Sequence, residues 1–476
     1  MKTVFISGNF SIVHPGHIRL FQLAKQFGDR LIVGVHSDDT IIASIKIPID
    51  LRLQSLNSIE MVDETVVISN DLESVLLKLR PDFVLKGSEH EAKDNDELAV
   101  LNTYGGKLIF GSGDYSISTN EFFDSFRDKS DIRIDFNSDF TKRNGITKKR
   151  LLEVLMKCQE RKLLVIGDLI IDEYINCESV GLSQEDPSVV FRPITRKKFV
   201  GGAGIVALHA ASIGVDTRYI GLAGSDAEMK FALNEFNQSK VDASLLTDGA
   251  RSTILKQRYR AQGKTQFRLN RFDDVVISSS LKSEILQIAE AKLQDVDVVI
   301  FSDFNYGFLT KDIINEIRDK AQKREIFISA DCQISSQIAD YAKYKSLDLV
   351  TPTEHEVRVT LRNSSDGLAA IAIAFQELIM AKNLCVTLGA EGVLVQVSES
   401  SKVTPYATDL IPALNSNPVD VAGGGDSFLI MASLALASGA SLHEASFLGS
   451  IAASIQVGRI GNVPLTINEL VGTINN

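Results

Sequence analysis

The chain has 476 residues, 44% of them hydrophobic and 23% charged, a balance that excludes a mainly disordered protein. At roughly 100–200 residues per domain, its length predicts two to four domains or two large ones. The net charge of −11 argues against a general nucleic-acid binder, and no run of about 20 apolar residues is present to span a membrane.

Met1–Phe10 lacks the basic, apolar and cleavage-site order of a secretory signal, so a cytoplasmic location is expected. Cys158, Cys177, Cys332 and Cys385 lie far apart, without CxxC or zinc-ligand spacing.

Five short runs rich in Val and Ile follow one another: Thr3–Ser7, Leu31–Val35, Thr65–Ile68, Phe83–Leu85 and Lys107–Phe110. They are continuous rather than alternating, as parallel strands buried on both faces should be. Between the first two, Leu20, Leu23, Ala24 and Phe27 recur at helical spacing over Ile18–Phe27, and Gly28 is a stop. The pattern predicts a small doubly wound parallel-sheet α/β domain over residues 1–135.

Over residues 136–159 the pattern fades. Thr141–Arg150 is polar and basic, and is expected to be a solvated linker leading into a helix. A second, larger α/β series over residues 160–476 starts at Leu163–Ile166. It continues with strands at Val298–Phe301, Ile326–Ala330, Leu347–Val350 and Leu384–Thr387. Thr253–Arg271 alternates instead and has Gly263 near its middle, which predicts a β-hairpin within a lid over the larger sheet.

Two stretches carry chemistry. The first strand runs into Gly8-Asn9-Phe10 and then His14-Pro15-Gly16-His17 at the start of a helix. Open α/β sheets place ligands at this end of strand one. Glycines allow close backbone approach, a helix amino terminus offers N–H groups to phosphate, and two imidazoles can donate to a phosphoryl group as its charge develops. The second stretch is Asp420-Val-Ala-Gly423-Gly424-Gly425-Asp426, leading into an apolar helix. Three glycines at a helix start form an anion hole, and Asp426 can take a proton from an attacking hydroxyl.

The first stretch resembles the cytidylyltransferase-like nucleotidyltransferases, whose signature is HxGH after strand one. Gly28–Asp38, Pro81–Gly87 and Ser118-Thr119-Asn120 follow in that family's order. The resemblance implies attack of a phosphate oxygen on the α-phosphorus of ATP or CTP, with pyrophosphate leaving. It makes His14 and His17 catalytic, places Gly8 and Phe10 at the nucleotide, and has Lys86, Ser118 and Thr119 hold the triphosphate. Two features depart from the family. Ser11 stands where an aspartate is common, and Ile41–Arg52 lacks the Lys-Gly…Arg-Pro run of sugar-nucleotide members, with Lys46 as a substitute cation.

The second stretch resembles the DTxGAGD signature of the PfkB/ribokinase sugar kinases. Further marks come in order: Gly167-Asp168…Asp172, Gly201-Gly202-Ala-Gly204, Ser302-Asp303…Gly307, Thr351-Pro-Thr…Glu356 and Thr387-Leu-Gly389-Ala-Glu-Gly392. The resemblance implies Asp426 as the base and Gly423, Gly424 and Gly425 as the anion hole. Thr387, Gly389 and Gly392 would bind nucleotide. Asp168, Asp172, Gly201, Gly202 and Asp303 would bind the sugar, and Glu356 would organise Mg²⁺. Here too the chain departs from the pattern: Ile205 and Thr353 replace asparagines, and Cys332-Gln333 stands in place of Pro-Lys.

The pairing of such halves resembles the bifunctional enzymes of ADP-heptose synthesis, with the domain order reversed. That implies a kinase converting heptose 7-phosphate to the 1,7-bisphosphate, a transferase joining the 1-phosphate to a nucleotide, and a homodimer formed through the kinase lid. Three alternatives stay open: an active transferase with a catalytically inactive kinase-like scaffold or sensor, the same two chemistries on another phosphosugar or a polyol phosphate, and two nucleotide-binding regulatory modules without turnover.

Overall fold

The computed structural model describes residues 2–475 apart from 12, 14, 39–46, 70, 88–96, 112–131, 133, 137, 187, 262–263, 274, 334–340 and 398–407. The chain forms two compact units, Met1–Lys129 and Ser130–Asn476.

In the first unit, β1 (Thr3–Gly8), β2 (Arg30–His36), β3 (Glu64–Ile68), β4 (Phe83–Gly87) and β5 (Lys107–Gly111) form a parallel sheet in the order β3-β2-β1-β4-β5. All five expected strands are present. Helices α1 (Pro15–Phe27), α2 (Ile49–Asn57), α3 (Leu72–Leu79) and α4 (Glu97–Tyr104) connect them. Alternate strand residues feed two separate cores. Val4, Ile6, Leu31, Val33 and Val35 pack with Phe21, Ala24 and Leu56 of α1 and α2. Phe5, Ile32, Ile68 and Val84 pack with Leu76, Val100 and Leu101 of α3 and α4. Burial on both faces is why these strands carry no polar alternation. The strand order reverses between β1 and β4, which makes their carboxyl ends the switch point where such sheets bind ligands.

The second unit has a nine-stranded sheet and a four-stranded lid. The sheet contains β6 (Lys162–Gly167), and the lid begins with β7 (Leu169–Leu182) and β8 (Val189–Gly202). Next come β9 (Asp216–Ala223), β10 (Asp242–Thr247), β11 (Ile254–Ala261), β12 (Lys264–Arg271), β13 (Val298–Asp303) and β14 (Phe327–Cys332). Last are β15 (Leu349–Val350), β16 (Asn383–Thr387), β17 (Val393–Val397) and β18 (Thr408–Ile411). The sheet order is β10-β9-β6-β13-β14-β15-β16-β17-β18, parallel except at β17 and β18. The lid order is β12-β11-β7-β8.

The expected hairpin is β11–β12, with its tip residue Gly263 outside the described residues. The β7–β8 hairpin was not legible. Its pairing shifts register at Asn176/Cys177 and again at Ser179/Gly181, so no clean alternation runs through it.

Residues 136–159 also differ from expectation. Helix α5 (Lys148–Cys158) buries Leu151, Val154, Leu155 and Cys158 in the core of the second unit. These four recur at i, i+3, i+4 and i+7, one face of a helix, while the basic residues lie outside that face. Asp139–Arg143 forms a short helix whose Phe140 joins the same core. The segment read as a linker therefore belongs to the kinase-like unit. Among the described residues no helix is long and apolar enough to cross a membrane.

Candidate active sites

In the first unit, Gly8 ends β1 and Phe10 follows with a left-handed backbone (φ 47°). That conformation turns the Phe10 ring inward, where it is buried and lies 4.9 Å from the His17 ring and 5.9 Å from Phe21. His17 sits in the first turn of α1, half buried, with its ring also stacked on Phe21. The aromatic contacts hold the imidazole beside the end of β1. His14, Ser118, Thr119 and Lys46 lie outside the described residues. Lys86, at the end of β4, pairs with Glu97 at 2.6 Å.

Sequence reasoning missed the organiser of this loop. Arg52 of α2 is fully buried. Its guanidinium donates to the carbonyl oxygens of Asn9 (2.7 Å), His36 (2.8 Å) and Ile47 (2.9 Å), and to Asp38 Oδ1 (2.5 Å). Asp38 in turn accepts from the Ile49 amide at the start of α2. One side chain thus ties the ends of β1 and β2 to the helix opposite them. An interior arginine so fully bonded exploits the fixed fork that lysine lacks.

In the second unit, β6, β13, β14, β15 and β16 end on one edge, bringing together Asp168, Asp303, Asp331, Thr351 and Thr387. Helix α6 (Ala203–Ser212) follows the Gly201-Gly202 turn, α7 (Ser279–Lys292) and α8 (Lys311–Gln322) cover the opposite face, and α9 (Glu354–Leu361) starts beside Thr353. Ile205 is wholly buried in the core at the start of α6, so it makes no polar contact where the resemblance led to an asparagine being expected.

Asp426 lies in the first turn of α10 (Gly424–Ala437), directly after Gly423 at φ 77°. It is 5% exposed, and its Oδ1 has no hydrogen-bond partner among the described residues. Burial and the nearby Asp172 carboxylate push its pKa up to about 7, an effect that Lys256 partly opposes. A buried carboxylate with an open lone pair at a glycine-rich helix start can receive a proton.

Asp172, on β7, is fixed from two sides. Arg258 of β11 pairs with Oδ1, and Asn462 Nδ2 donates to Oδ2 at 2.8 Å. Lys256 stands opposite Asp172 in the β7–β11 register, and its ammonium lies over the rings of Phe304 (5.0 Å) and Tyr306 (5.3 Å). Lys256, Arg258 and Asn462 were absent from the sequence reading. The signal for the two cations was their alternation on one lid strand; Asn462 carried none.

Gly201 packs against Asp172 so closely that any Cβ would overlap the carboxylate. Gly201→Ala is expected to displace Asp172; if Asp172 holds a sugar, as the resemblance implies, initial-rate kinetics would show the KM for the sugar raised at least tenfold with the KM for ATP unchanged.

Asp168 and Asp303 are more deeply committed. Asp303 pairs with Lys343 at 2.5 Å and accepts from Tyr344 Oη (2.7 Å) and the Asn305 amide (2.8 Å). Asp168 accepts from the Phe304 amide at 2.9 Å, and burial plus the Asp303 charge raise its pKa to about 7. Together they hold the turn after β13.

Glu356 forms a capping box with Thr353: the Thr353 hydroxyl accepts from the Glu356 amide, and Glu356 accepts from the Thr353 amide at 2.7 Å. The threonine that departs from the family pattern is thus a helix cap. Asp331 accepts from Tyr341 Oη at 2.9 Å and from Gln333 Nε2 at 3.4 Å. Its pKa is raised by burial and by the charges of Glu356 and Asp426. Thr387 donates its amide to Pro352 at the end of β15, and Gly389 and Gly392 form the left-handed turn into β17.

Residues 160–467 match the pfkB family carbohydrate kinases, and residues 5–108 match the cytidylyltransferase-like family. The chain belongs to the pfkB family of carbohydrate kinases and carries a cytidylyltransferase-like unit ahead of it. Among curated relatives, the bifunctional protein HldE of Helicobacter acinonychis is 31% identical over 318 residues, 66% of this chain and 66% of that protein. The bifunctional protein HldE of Campylobacter jejuni subsp. doylei is 28% identical over 323 residues, 67% of this chain and 66% of that protein. The chain therefore spans just under two thirds of the length of these relatives. Ribokinase from Thermotoga maritima matches with a TM-score of 0.51 at 20% identity, covering 66% of this chain and all of that one. Phosphofructokinase-2 from Escherichia coli in complex with potassium gives 0.55 at 16%, over 66% and 98%. These two establish a ribokinase-like α/β fold for the second unit.

Proposed function

We propose that the chain is a bifunctional sugar-phosphate kinase and nucleotidyltransferase that makes a nucleotide-activated sugar, ADP-heptose: it phosphorylates heptose 7-phosphate to the 1,7-bisphosphate and, once a separate phosphatase has hydrolysed the 7-phosphate, joins the 1-phosphate to AMP from ATP. The observation that carries the kinase half is Asp426, buried, open at Oδ1 and set at the Gly423–Gly425 helix start. Its carboxylate accepts the proton of the sugar hydroxyl as that oxygen attacks the γ-phosphorus of ATP and ADP leaves. Asp172 orients sugar hydroxyls, and Gly423–Gly425 hold the transferring phosphoryl. The relatives named HldE support the choice of sugar and the pairing of reactions.

Asp331, Glu356 and Asp426 place hard oxygen donors with mutually unfavourable negative charge near one another, a setting that suits Mg²⁺. Among the described residues no group of three or more metal-ligating side chains forms a cage. That is normal for an ion held by one or two carboxylates plus substrate phosphates. Glu356 and Asp331 would supply the protein's share, and the ion would neutralise the triphosphate.

In the first unit, His17 and His14 would stabilise the α-phosphoryl group during attack by the sugar 1-phosphate, with pyrophosphate leaving. The exposed apolar side chains of the lid, Val180, Leu182, Ile194, Phe267 and Leu269, support a homodimer through the lid.

Mass spectrometry of products from the full chain with Mg²⁺, ATP, CTP and either heptose 7-phosphate or heptose 1-phosphate tests both halves. A heptose bisphosphate and a nucleotide-heptose are expected, the mass naming the base. Absence of both products overturns the assignment.

The kinase half also has a predicted pH dependence. Asp426 must be ionised to act, so kcat/KM rises with pH through about 7. Lys256→Met removes the charge that favours the ionised form. Its pH–rate profile is expected to move to higher pH on the acid limb, with little change on the alkaline side.

A further inference from the structure

The turn after α11 (Leu442–Val457) reaches the kinase site and is held there at successive residues. Gln456 is wholly buried, and its Nε2 donates to the carbonyl oxygens of Gly461 (2.9 Å) and Ala422 (3.2 Å). Gly461, at φ 75°, donates its amide to Asp420 Oδ2 at 3.1 Å. The Val463 carbonyl accepts from Arg459 Nη2 at 2.7 Å, and the Leu465 amide donates to the buried His209 Nδ1 at 3.0 Å. Asn462 is thus fixed from both sides along the chain before any ligand arrives.

Asn462 is 6% exposed and lies between two glycines. A Cβ on Gly201 would come within 3.1 Å of its Nδ2, and one on Gly423 within 2.5 Å of its Oδ1. Gly201 belongs to the turn beside Asp172, and Gly423 opens the anion hole. The carboxamide therefore spans the seam between the sugar seat and the phosphoryl seat.

An asparagine's nitrogen and oxygen are told apart by their partners. Nδ2 donates to Asp172 Oδ2 at 2.8 Å, and a carboxylate only accepts, so the oxygen is the atom turned toward Gly423. That oxygen is buried and has no hydrogen-bond partner among the described residues. A buried acceptor without a donor is costly, and the rigid turn keeps this one from swinging toward another. Asp426 Oδ1 is open in the same way. Two open acceptors in one site fit a ligand that brings two hydrogens. Asp426 takes the one on the reacting hydroxyl. The second belongs to a group at the seam, one carbon away from the reacting oxygen.

We propose that Asn462 Oδ1 accepts the hydrogen of the acceptor hydroxyl vicinal to the one that is phosphorylated. Asn462 is then a specificity-determining residue, and the kinase half requires a vicinal diol. The inference rests on the kinase reading above and deepens it. Ile205 leaves the start of α6 apolar where an asparagine was expected, and the carboxamide at this site comes from near the far end of the chain instead.

The test measures ADP release by the full chain and by its Asn462→Ala variant, with heptose 7-phosphate and with 2-deoxyheptose 7-phosphate, O1 being the reacting oxygen. Wild type is expected to lose about 10- to 100-fold in kcat/KM on the deoxy analogue, because the buried acceptor is left unpaired. In Asn462→Ala the two substrates should agree within about threefold. The variant also loses the Nδ2 donor to Asp172, but that loss falls on both substrates alike, so only a direct contact changes their ratio. The KM for ATP should hold. The same ratio in both proteins, the result if water alone meets Oδ1, overturns the proposal. Asn462→Ser is run alongside, and its ratio is read by the same criterion should the alanine chain fail to fold.

If heptose 7-phosphate is not a substrate but mannose 6-phosphate is, the choice of sugar in the proposed function fails alone. The ratio of mannose 6-phosphate to 2-deoxyglucose 6-phosphate, its analogue without the 2-hydroxyl, then decides in the same way. If no sugar phosphate yields ADP, the kinase reading fails and this proposal with it.

Discussion

Asp426→Asn is expected to lower ADP release by about 10²–10⁴-fold, the usual cost of losing a positioned general base, while leaving pyrophosphate release by the other unit intact. The same variant carries a second signature. The Asp426 pKa is raised to about 7 in the folded chain, against about 3.9 when unfolded. Between those values the folded chain keeps a proton that the unfolded chain has released. Native stability therefore falls as pH rises through this window and stays lower above it. Asparagine has no such dependence. The variant should melt a few degrees above wild type at pH 8 and together with it near pH 4, as calorimetry at the two pH values would show. Loss of turnover without the pH-dependent gain would indicate that Asp426 is not held in the buried, unpaired state described. Unchanged turnover would favour a kinase fold that serves as a scaffold.

The largest effect expected in the first unit comes from Arg52→Met. Removing the guanidinium takes the Arg52 donors from the carbonyls of Asn9, His36 and Ile47 and from Asp38 Oδ1. Asp38 is 42% exposed and keeps the Ile49 amide, so the cost lies in the carbonyls, about 1–3 kcal/mol for each one left buried and unsatisfied. Because Asn9 lies between Gly8 and Phe10, the loss should also loosen the His17 loop. Transferase kcat/KM is expected to fall at least 100-fold and the first unit to melt earlier. Kinase activity should persist, because the second unit has its own cores. Arg52→Lys should rescue little, since an ammonium cannot span four acceptors in the arginine plane. Parallel assays of the two half-reactions with thermal melts would check this. Full transferase activity in Arg52→Met would remove Arg52 from the site.

The legible parts of the fold were those whose burial is symmetric. β1, β2, β13 and β16 are covered on both faces, so apolar runs mark them directly. The lid hairpin β7–β8 was hidden because it passes from a buried base to an exposed, charged tip and shifts register twice. The helix expected after the basic stretch is α5, but its burial in the second unit was missed because the basic residues are more conspicuous than four apolar positions at helical spacing.

The glycine-rich and histidine motifs were visible because each is contiguous. The groups that complete the sites were not: Arg258 lies 86 residues from Asp172, and Asn462 lies 290. Thr353 illustrates a different loss. Seen against the family pattern it was an anomaly, but with Glu356 three residues on it is a helix cap, a local rule that could have been applied.

The lid strand β11 has a consequence for how such enzymes change. Its cations at 256, 258 and 260 share one side because alternate strand residues do, and the pairing of Ile254 with Ile170 sets which side that is. Deleting one residue before Lys256 would move all three to the far side and bring Gln257 and Tyr259 inward. The placement of these cations is thus sensitive to indels as well as to point substitutions. A one-residue length change within β11 ahead of Lys256 would turn Lys256 and Arg258 away from Asp172 together, which no single substitution on the strand can do.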